Sequence, residues 1–224
     1  MNKIAQIILG LIRVLTLSGL SFTSLADEAA LYDLAPPDAA FLRVINLQRN
    51  TPSAGSNQHL TLRIEGKNLS TAGYCRASSF VYLPAGEYNE QVSGLRWQAS
   101  LEAGKAYSLL VDDDSVTLVE DYRAKDSRRG MLVVYNFSSY SRLNLQTAKS
   151  ARSVLSNIAQ ATSGARAINP LKSAFSVVDS ADTQGTSLVV TEAMIFQPGV
   201  SSSLFICTNP SGLFTHWADR AGGR

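Results

Sequence analysis

The side chains best suited to acid–base or nucleophilic chemistry are few in this chain of 224 residues. It contains two histidines, His59 and His216, and two cysteines, Cys75 and Cys207. A serine hydrolase or transferase needs a base within hydrogen-bond reach of its nucleophile. His59 begins an alternating run, and His216 could act with Asp219, but a polar C-terminal tail is the simpler interpretation. The sequence therefore predicts no catalytic residue.

Motifs that bind metals or cofactors do not occur in the sequence. There is no G-x-S-x-G elbow, no HExxH, no paired Cys and His spacing, no EF-hand loop and no glycine-rich phosphate loop. Residues 112–114 are three consecutive aspartates that could bind Ca²⁺ weakly, but such a run is more often a solvated turn. We therefore expect neither a metal nor a cofactor.

The two cysteines admit two interpretations. If oxidised, they would close a long loop and stabilise the fold by about 4–5 kcal/mol. If reduced, they would be separate thiols, one of them buried in a strand. Spacing in sequence cannot show whether the Cα atoms approach closely enough to pair, and there is no CxxC motif. A Cys75–Cys207 disulfide is therefore left open.

Aromatic rings are the remaining candidates for binding. Tyr82, Tyr88, Trp97 and Tyr107 occur close together in the first half of the chain. An exposed ring can stack on the apolar face of a sugar, but aromatic residues also favour strands and cores. The core is the favoured place for any single ring, whereas Trp217 lies outside the strongest strand pattern. Trp97 and Trp217 are the candidate contacts to a glycan or a partner.

The N-terminal segment has the features of a secretory signal. Lys3 and Arg13 give it positive charge, residues 14–22 form a short apolar run, and residues 24–26 (SLA) form a cleavage site of small residues. A membrane anchor would need about 20 consecutive apolar residues, and Arg13 interrupts the apolar stretch. We therefore expect export to the periplasm and removal of residues 1–26.

Removal of this segment leaves an electrically balanced chain. The full sequence has 20 Lys and Arg and 18 Asp and Glu. Because the signal holds two basic residues and no acid, 18 of each sign remain. Without a long-range positive field, binding to nucleic acid or directly to anionic lipid is disfavoured. The hydrophobic content of 45% is sufficient for a substantial core.

Alternation of apolar and polar residues predicts an all-β fold. Residues 59–65 (HLTLRIE) alternate strictly, as a half-buried strand does. Similar runs occupy residues 41–47, 79–83, 88–92, 96–101, 106–111 and 116–120. Residues 112–115 are predicted to connect the last two runs as a hairpin. Residues 150–164 are an exception, because apolar residues at near-helical spacing between Ser- and Thr-rich flanks predict a loop or one short helix.

Two blocks of the first half recur in the second half at nearly the same offset. Residues 41–47 (FLRVINL) resemble residues 131–137 (MLVVYNF), which lie 90 positions later. Residues 101–111 (LEAGKAYSLLV) resemble residues 196–206 (FQPGVSSSLFI), which lie 95 positions later. The recurrence favours duplication of a unit of about 90 residues over chance resemblance among β-rich segments.

This recurrence also predicts the domain organisation. Between the two copies the sequence is rich in charge and poor in apolar residues, as linkers are. Units of short strands and frequent turns usually close as sandwiches or small barrels. We predict two tandem small β-sandwich domains at residues 27–122 and 131–224, related by duplication, with a linker at residues 123–130.

Several segments, taken in order and spacing, are similar to a known family. They are residues 30–32 (ALY) with Pro36, Pro37 and FLRVIN, residues 82–92 (YLPAGEYNEQV) with 101–111, residues 118–122 (LVEDY), and residues 167–179 (AINPLKSAFSVVD). In them the chain resembles the AlgF family of alginate biosynthesis proteins over most of its mature length. Residues 52–79 depart from the expected pattern, since they are longer and more polar and include Cys75.

The resemblance implies a periplasmic accessory protein of exopolysaccharide O-acetylation. In such systems a membrane-bound O-acyltransferase passes acetyl groups outward, and SGNH-type periplasmic acetyltransferases place them on the polymer. The family supplies a small β-rich adaptor between these enzymes, reaching the membrane only through its partner. Related accessory proteins act in cellulose acetylation, so the polymer could be alginate or cellulose.

Two other functions remain as alternatives to a non-catalytic adaptor. A polysaccharide-binding module would hold the polymer itself and would lose affinity when Trp97 or Trp217 is changed. An acetyltransferase would form an acyl-serine or acyl-cysteine intermediate. The absence of a nucleophile with a nearby base in the sequence pattern favours the adaptor.

Overall fold

Backbone hydrogen bonds in the described part of the chain build strands. The computed structural model describes residues 35–49 and 59–218, so the expected signal at residues 1–26 lies outside the described residues. Nineteen strands and no helix occur within these two ranges. None of the residues described there forms a helix long and apolar enough to cross a membrane. The all-β prediction is confirmed.

Nine strands precede the connecting segment, which joins the two halves at residues 121–130. They are β1 (Ala39–Asn46), β2 (His59–Ile64), β3 (Lys67–Ala72), β4 (Arg76–Ala77), β5 (Val81–Pro84), β6 (Gly86–Val92), β7 (Leu95–Leu101), β8 (Ala106–Val111) and β9 (Val116–Glu120). One sheet has the order β4-β1-β8-β9, with β5 also paired to β1, and β2–β3 and β6–β7 are hairpins. Each run predicted for this half is a strand, displaced by at most two residues at either end.

Ten strands follow the connecting segment. They are β10 (Gly130–Phe137), β11 (Arg142–Thr147), β12 (Ser153–Ala159), β13 (Thr162–Ile168), β14 (Lys172–Ser173), β15 (Phe175–Asp179), β16 (Ser187–Val190), β17 (Met194–Ile195), β18 (Ser201–Asn209) and β19 (Gly212–Trp217). They form one sheet in the order β13-β10-β18-β19, a second in the order β12-β11-β15-β16, and a short β14–β17 pair.

The prediction of a loop or short helix at residues 150–164 is wrong. This stretch contributes β12 and the start of β13. The pairing of β12 with β11 shifts register on both sides of Leu145, and Asn157 has a φ of 58°. Such a bulge changes which side chains face the core, so Leu155 and Ile158 both pack inward without strict alternation. The irregular spacing that suggested a helix is that of a bulged strand.

The expectation of a polar C-terminal tail is also wrong as far as Trp217. β19 pairs antiparallel with β18 from Asn209 opposite Gly212 to Leu204 opposite Trp217. Gly212 has a φ of 119°, which favours glycine at the turn between the two strands. The last described strand therefore completes the β13-β10-β18-β19 sheet of the second half.

The central strands bury both of their faces. β1 and β8 run parallel to each other, and so do β10 and β18. Parallel strands covered on both sides are almost continuously apolar in sequence, as FLRVINL and MLVVYNF are. Alternate residues of β1 enter different cores, since Leu42 and Val44 pack towards the hairpins and Ile45 packs against the second half.

Three apolar clusters account for the packing. The first lies between the main sheet and hairpins of the first half, and the second lies between the two sheets of the second half. The third contains Ile45 and Leu110 from the first half and Val133 and Phe205 from the second. The described residues from Pro36 onward therefore form one compact unit, while the domain boundaries at residues 122 and 131 stay a prediction.

Strand order and register repeat between the halves. Phe41 lies opposite Ala106 in the β1–β8 pair, and Met131 lies opposite Ser201 in the β10–β18 pair. These positions are related by the offsets of 90 and 95 seen in the sequence. The two sequence blocks therefore occupy the same places in two similar arrangements, and duplication as their origin stays a prediction.

The buried asparagines of the two blocks also correspond. Asn46 Oδ1 accepts a hydrogen bond from the backbone N–H of Gln48 at 3.0 Å, and Asn136 Oδ1 accepts one from Ser138 at 3.2 Å. Both side chains are almost fully buried. An asparagine at this point satisfies the backbone where the strand ends, which gives the repeated N of VIN and VYN a structural reason.

A disulfide links the two halves. Cys75 lies just before β4 and Cys207 lies in β18, with Cα atoms 6.4 Å apart. Both cysteines are buried in the third cluster beside Tyr135 and Phe205. The bond connects positions separated by 132 residues, so it constrains the separation of the halves in the unfolded chain.

Reduction of this disulfide is expected to lower the free energy of unfolding by about 2–5 kcal/mol, because a loop of this length restricts the unfolded chain strongly. Urea unfolding of the oxidised and the dithiothreitol-treated protein measures the difference. A Cys75→Ser/Cys207→Ser variant is the control, since the reductant should leave its stability unchanged. An equal stability of oxidised and reduced wild-type protein would contradict the prediction.

Candidate functional site at the junction of the two halves

A buried ion pair lies between the central sheets. Arg43 of β1 approaches Asp121, the residue after β9, with Nη2 and Oδ2 3.2 Å apart. The two side chains are 2% and 5% exposed. Alternation along β1 directs Arg43 to the same face as Ile45, which is the face that packs on the second half. The position of Arg43 in β1 therefore places its charged guanidinium inside the molecule.

Hydrogen bonds surround this pair. Arg43 donates from Nε to Ser108 Oγ at 2.7 Å, and from Nη2 to Ser203 Oγ at 3.1 Å and to the Tyr135 hydroxyl at 3.2 Å. Ser108 Oγ donates to Asp121 Oδ2 at 2.7 Å, and the Tyr135 hydroxyl donates to Asp121 Oδ1. The polar network therefore joins strands of both halves around one guanidinium.

Aromatic rings enclose the guanidinium. Its carbon lies 4.7 Å from the centroid of the Phe80 ring, 5.5 Å from that of Phe205 and 5.8 Å from that of Tyr135. Cation–π attraction strengthens when the charge is desolvated. The rings thus stabilise a cation that would be costly to bury among aliphatic side chains.

Burial raises the pKa of the Tyr135 phenol well above its ordinary value, and the neighbouring Asp121 carboxylate raises it further. Both causes disfavour a second negative charge at this place. The phenol therefore remains protonated at neutral pH and acts as a hydrogen-bond donor to Asp121. It cannot serve as a base for a nearby serine.

The carboxylate in this cluster is committed to structural contacts. Asp121 is paired with Arg43 and accepts hydrogen bonds from Ser108 and Tyr135. A serine nucleophile needs a base that is free to take its proton, whereas both oxygens of this carboxylate already accept hydrogen bonds. The arrangement supports a buried structural network rather than activation of Ser108.

The two histidines lie outside this network. His59 is the first residue of β2. His216 lies in β19, where its Nε2 is 2.8 Å from Nη1 of Arg76. Asp219, its suggested partner, lies outside the described residues. No three His, Cys, Asp or Glu side chains among the described residues gather as a metal site.

A cavity of about 370 Å³ lies at the same junction, and Arg43 and Asp121 line it. Phe41 and Phe80 contribute from the first half, and Ser203 contributes from the second. A space of this size is at the lower end of the range for small-ligand sites. Its lining comes from both halves, so the cavity depends on their relative packing.

The connecting segment forms one wall of this cavity. Its backbone is fixed by a hydrogen bond from Ala124 N to Ser201 Oγ at 3.1 Å and by one from Gly199 N to the Arg129 carbonyl at 3.0 Å. At Gly130 a Cβ would lie 2.9 Å from the carbonyl oxygen of Gln197, so a side chain there would push the segment away. The wall is therefore held in place by contacts with the second half.

Neither tryptophan selected from the sequence lines the cavity. Trp97 is 5% exposed and stacks on Tyr88 in the first core, because β7 directs it inward. Trp217 is half-buried beside Phe175 and donates from Nε1 to the Glu192 carbonyl at 3.0 Å. The structure therefore corrects the assignment of Trp97 as a surface contact, and it places Trp217 in a packed strand.

Arg43 and Asp121 are not among the functional residues that the sequence predicts. A signal was present, because Arg43 interrupts a run that is otherwise apolar and is buried on both faces. A charge inside such a run requires a partner. The partner could not be identified from sequence, since it lies 78 positions away.

Asp121→Asn is expected to lower the free energy of unfolding by about 3–5 kcal/mol, because it leaves the Arg43 charge buried without its counterion. Urea unfolding monitored by fluorescence measures the loss. Glu120→Gln is the matched control, since its bridge to Lys105 is exposed and contributes less than about 1 kcal/mol. Equal losses for the two variants would refute a special role for the buried pair.

Tyr135→Phe is expected to change the response of stability to alkaline pH. Above about pH 10 the unfolded chain loses the phenolic proton while the folded protein keeps it, so wild-type stability falls as pH rises. The stability difference between wild type and variant should narrow by about 1.4 kcal/mol between about pH 9 and about pH 11. Urea unfolding of both proteins tests this, and an unchanged difference would contradict it.

Comparison with known proteins supports the resemblance seen in the sequence. A family model described as alginate O-acetyl transferase AlgF matches residues 14–193. The alginate biosynthesis protein AlgF of Azotobacter vinelandii is 30% identical over 186 residues, which cover 80% of this chain and 82% of that protein. The protein of the same name from Pseudomonas fluorescens is 26% identical over 206 residues, covering 91% and 89% respectively.

A solved structure of the C-terminal domain of AlgF from P. aeruginosa has a TM-score of 0.35 and 21% sequence identity, covering 40% of this chain and 96% of that domain. That likeness is too low to bear on the fold. The family match, in contrast, spans most of the sequence. The chain therefore belongs to the AlgF family, which is described as alginate O-acetyl transferase.

Proposed function

We propose that this protein is a non-catalytic periplasmic adaptor of an exopolysaccharide O-acetylation complex. It would link a membrane-bound O-acyltransferase to SGNH-type periplasmic acetyltransferases. Relatives that are 25–30% identical are named alginate biosynthesis proteins, so alginate is the favoured polymer and cellulose the less favoured one.

The main support for this proposal is that the buried polar side chains at the junction bind one another. Arg43, Asp121, Tyr135, Ser108 and Ser203 bind one another and thereby connect the two halves. These contacts fix the packing of the two halves and do not activate a reacting group. An adaptor that holds enzymes in a defined arrangement benefits from such rigidity, because less conformational entropy is lost on binding.

The disulfide supports an extracytoplasmic location. Disulfides persist in oxidising compartments such as the bacterial periplasm and are rare where thiols are kept reduced. Cys75 and Cys207 are paired, which agrees with the export signal expected at residues 1–26. Periplasmic location therefore remains part of the proposal on two independent grounds.

The alternative of an acetyltransferase is favoured by the wording of the family description. An acyl-cysteine route has no support, because Cys75 and Cys207 are joined to each other. An acyl-serine route would require a base, and the carboxylate beside Ser108 is already paired with Arg43. The adaptor remains the better-supported function.

Deletion of the gene in a polysaccharide-producing host is expected to remove most O-acetyl groups from the secreted polymer while polymer yield is retained. The measurement is the ratio of acetyl to sugar protons in the NMR spectrum of the purified polymer. Complementation with the wild-type gene is the positive control. Normal acetylation in the deletion strain would contradict the proposal, and loss of the polymer itself would indicate a role in synthesis.

The enzyme alternative is tested on the purified protein. Incubation with an activated acetyl ester followed by intact-mass and peptide mass spectrometry should give no site-specific acetyl-serine for an adaptor. The controls are Ser108→Ala and Ser203→Ala. Stoichiometric acetylation of either serine, lost in the matching variant, would replace the adaptor with an acyl-carrying enzyme.

A further inference from the structure

The cavity at the junction is markedly cationic although the full sequence has a net charge of only +2. Arg43, Arg123 and Lys125 line it together with a single carboxylate, that of Asp121. Asp121 is already paired with Arg43. Arg123 and Lys125 make no salt bridge with any described residue, so the lining has excess positive charge.

The hydrogen bonds of the buried Arg43 leave one of its donor groups without a partner among the described residues. Arg43 uses Nε and Nη2 for its hydrogen bonds. A guanidinium has five N–H donors, and Nη1 makes no hydrogen bond with any described residue. Because the side chain is 2% exposed and lines the cavity, the donors of Nη1 are best satisfied from the cavity side. A carboxylate is a group whose geometry matches the donor fork of an arginine.

The rim of the cavity has the composition of a protein-binding hot spot. Tyr122 is 49% exposed and stands beside Arg123 in the lining. Tyrosine and arginine dominate the energetics of protein interfaces, above all where an anchor enters a pocket. The Arg123 guanidinium is itself held in position by a hydrogen bond to the Gly104 carbonyl at 2.7 Å and by the Phe41 ring at 5.0 Å.

A polysaccharide fits this surface less well. An extended polymer is usually held along a track of several exposed rings, by analogy with the stacking surfaces that bind single-stranded nucleic acids. Four large hydrophobic side chains are exposed among the described residues, and one of them, Tyr122, is aromatic. The other three are Leu171, Val190 and Ile195. One ring beside a small cavity suits a single anchoring side chain better than a chain of sugars.

We propose that this cavity is the docking site for an acidic segment of a partner protein, with one Asp or Glu carboxylate bound by Arg43 and the flanking residues by Tyr122, Arg123 and Lys125. The inference rests on the proposed adaptor function, which requires a partner-binding surface. The connecting segment is already fixed against the second half, so the site needs little reorganisation to bind.

The direct test is an NMR titration of the nitrogen-15-labelled protein with a hexaglutamate peptide. Saturable shifts are expected at the amides of Tyr122 and Arg123 and at the Arg43 Nε–H. Affinity should fall by about tenfold or more in Arg123→Glu/Lys125→Glu and should weaken with added salt. Lys125→Glu alone is included because Lys125 is exposed and makes no hydrogen bond or salt bridge with any described residue.

The matched control is Lys149→Glu, which reverses an exposed lysine between β11 and β12 that does not line the cavity. It should bind the peptide as wild type does. Absence of saturable shifts at the cavity, or equal affinity in the doubly reversed variant, would overturn the proposal. Binding of a uronate oligosaccharide at these amides without binding of hexaglutamate would overturn it in favour of a polysaccharide site.

Co-purification from detergent-solubilised envelopes separates this inference from the adaptor function. The expected result is that tagged wild-type protein and Lys149→Glu recover the O-acyltransferase or the acetyltransferase, whereas Arg123→Glu/Lys125→Glu does not. Equal recovery by the reversed variant would leave the adaptor function standing and remove the cavity as its docking site. If wild type recovers neither enzyme but hexaglutamate binds as expected, the cavity stands and the adaptor function fails.

Discussion

A guanidinium held between two packed sheets is the interaction on which the rest of this structure depends. An isolated charge at that depth would be strongly destabilising, so the surroundings of Arg43 must supply a counterion, hydrogen-bond acceptors and polarisable rings. Asp121, two serines and three aromatic rings do so. Because these groups come from both halves, the charge can be satisfied only when the halves are packed in one arrangement. A purely apolar junction would tolerate sliding, whereas this one specifies register.

The repeated strand pairing places two serine acceptors beside the Arg43 guanidinium. Ser108 and Ser203 occupy corresponding positions of β8 and β18, since they differ by the same offset of 95 that relates the sequence blocks. The corresponding position to Arg43, 90 residues later, is Val133, which lies in the apolar cluster at the junction. Two similar sheets thus present similar faces, and one arginine breaks the symmetry. The polar cluster stays local because Arg43 is its single cation among the described residues and the corresponding position of the second half is apolar.

Much of this fold could be predicted from the sequence, because strand alternation and the recurrence of FLRVINL as MLVVYNF depend on short-range pattern alone. Residues 150–164 were mispredicted because a bulge breaks the alternation on which strand assignment relies. The candidate site could not be predicted, since it joins Arg43 to groups 65–160 positions away. Trp97 illustrates the same limit, because composition identifies an aromatic residue while only packing decides that it is buried.

The cavity follows from how the ion pair and the close approach at Gly130 hold the connecting segment. Asp121 fixes its beginning through Arg43, and Gly130 fixes its end because a side chain would clash with Gln197. The residues between these points form no strand and must pass beside the junction without filling it. Their side chains Tyr122, Arg123 and Lys125 then stand at the rim while Arg43 lies within. The same contacts that make the junction rigid therefore leave a preformed cationic recess, and weakening the ion pair would loosen the wall that shapes it.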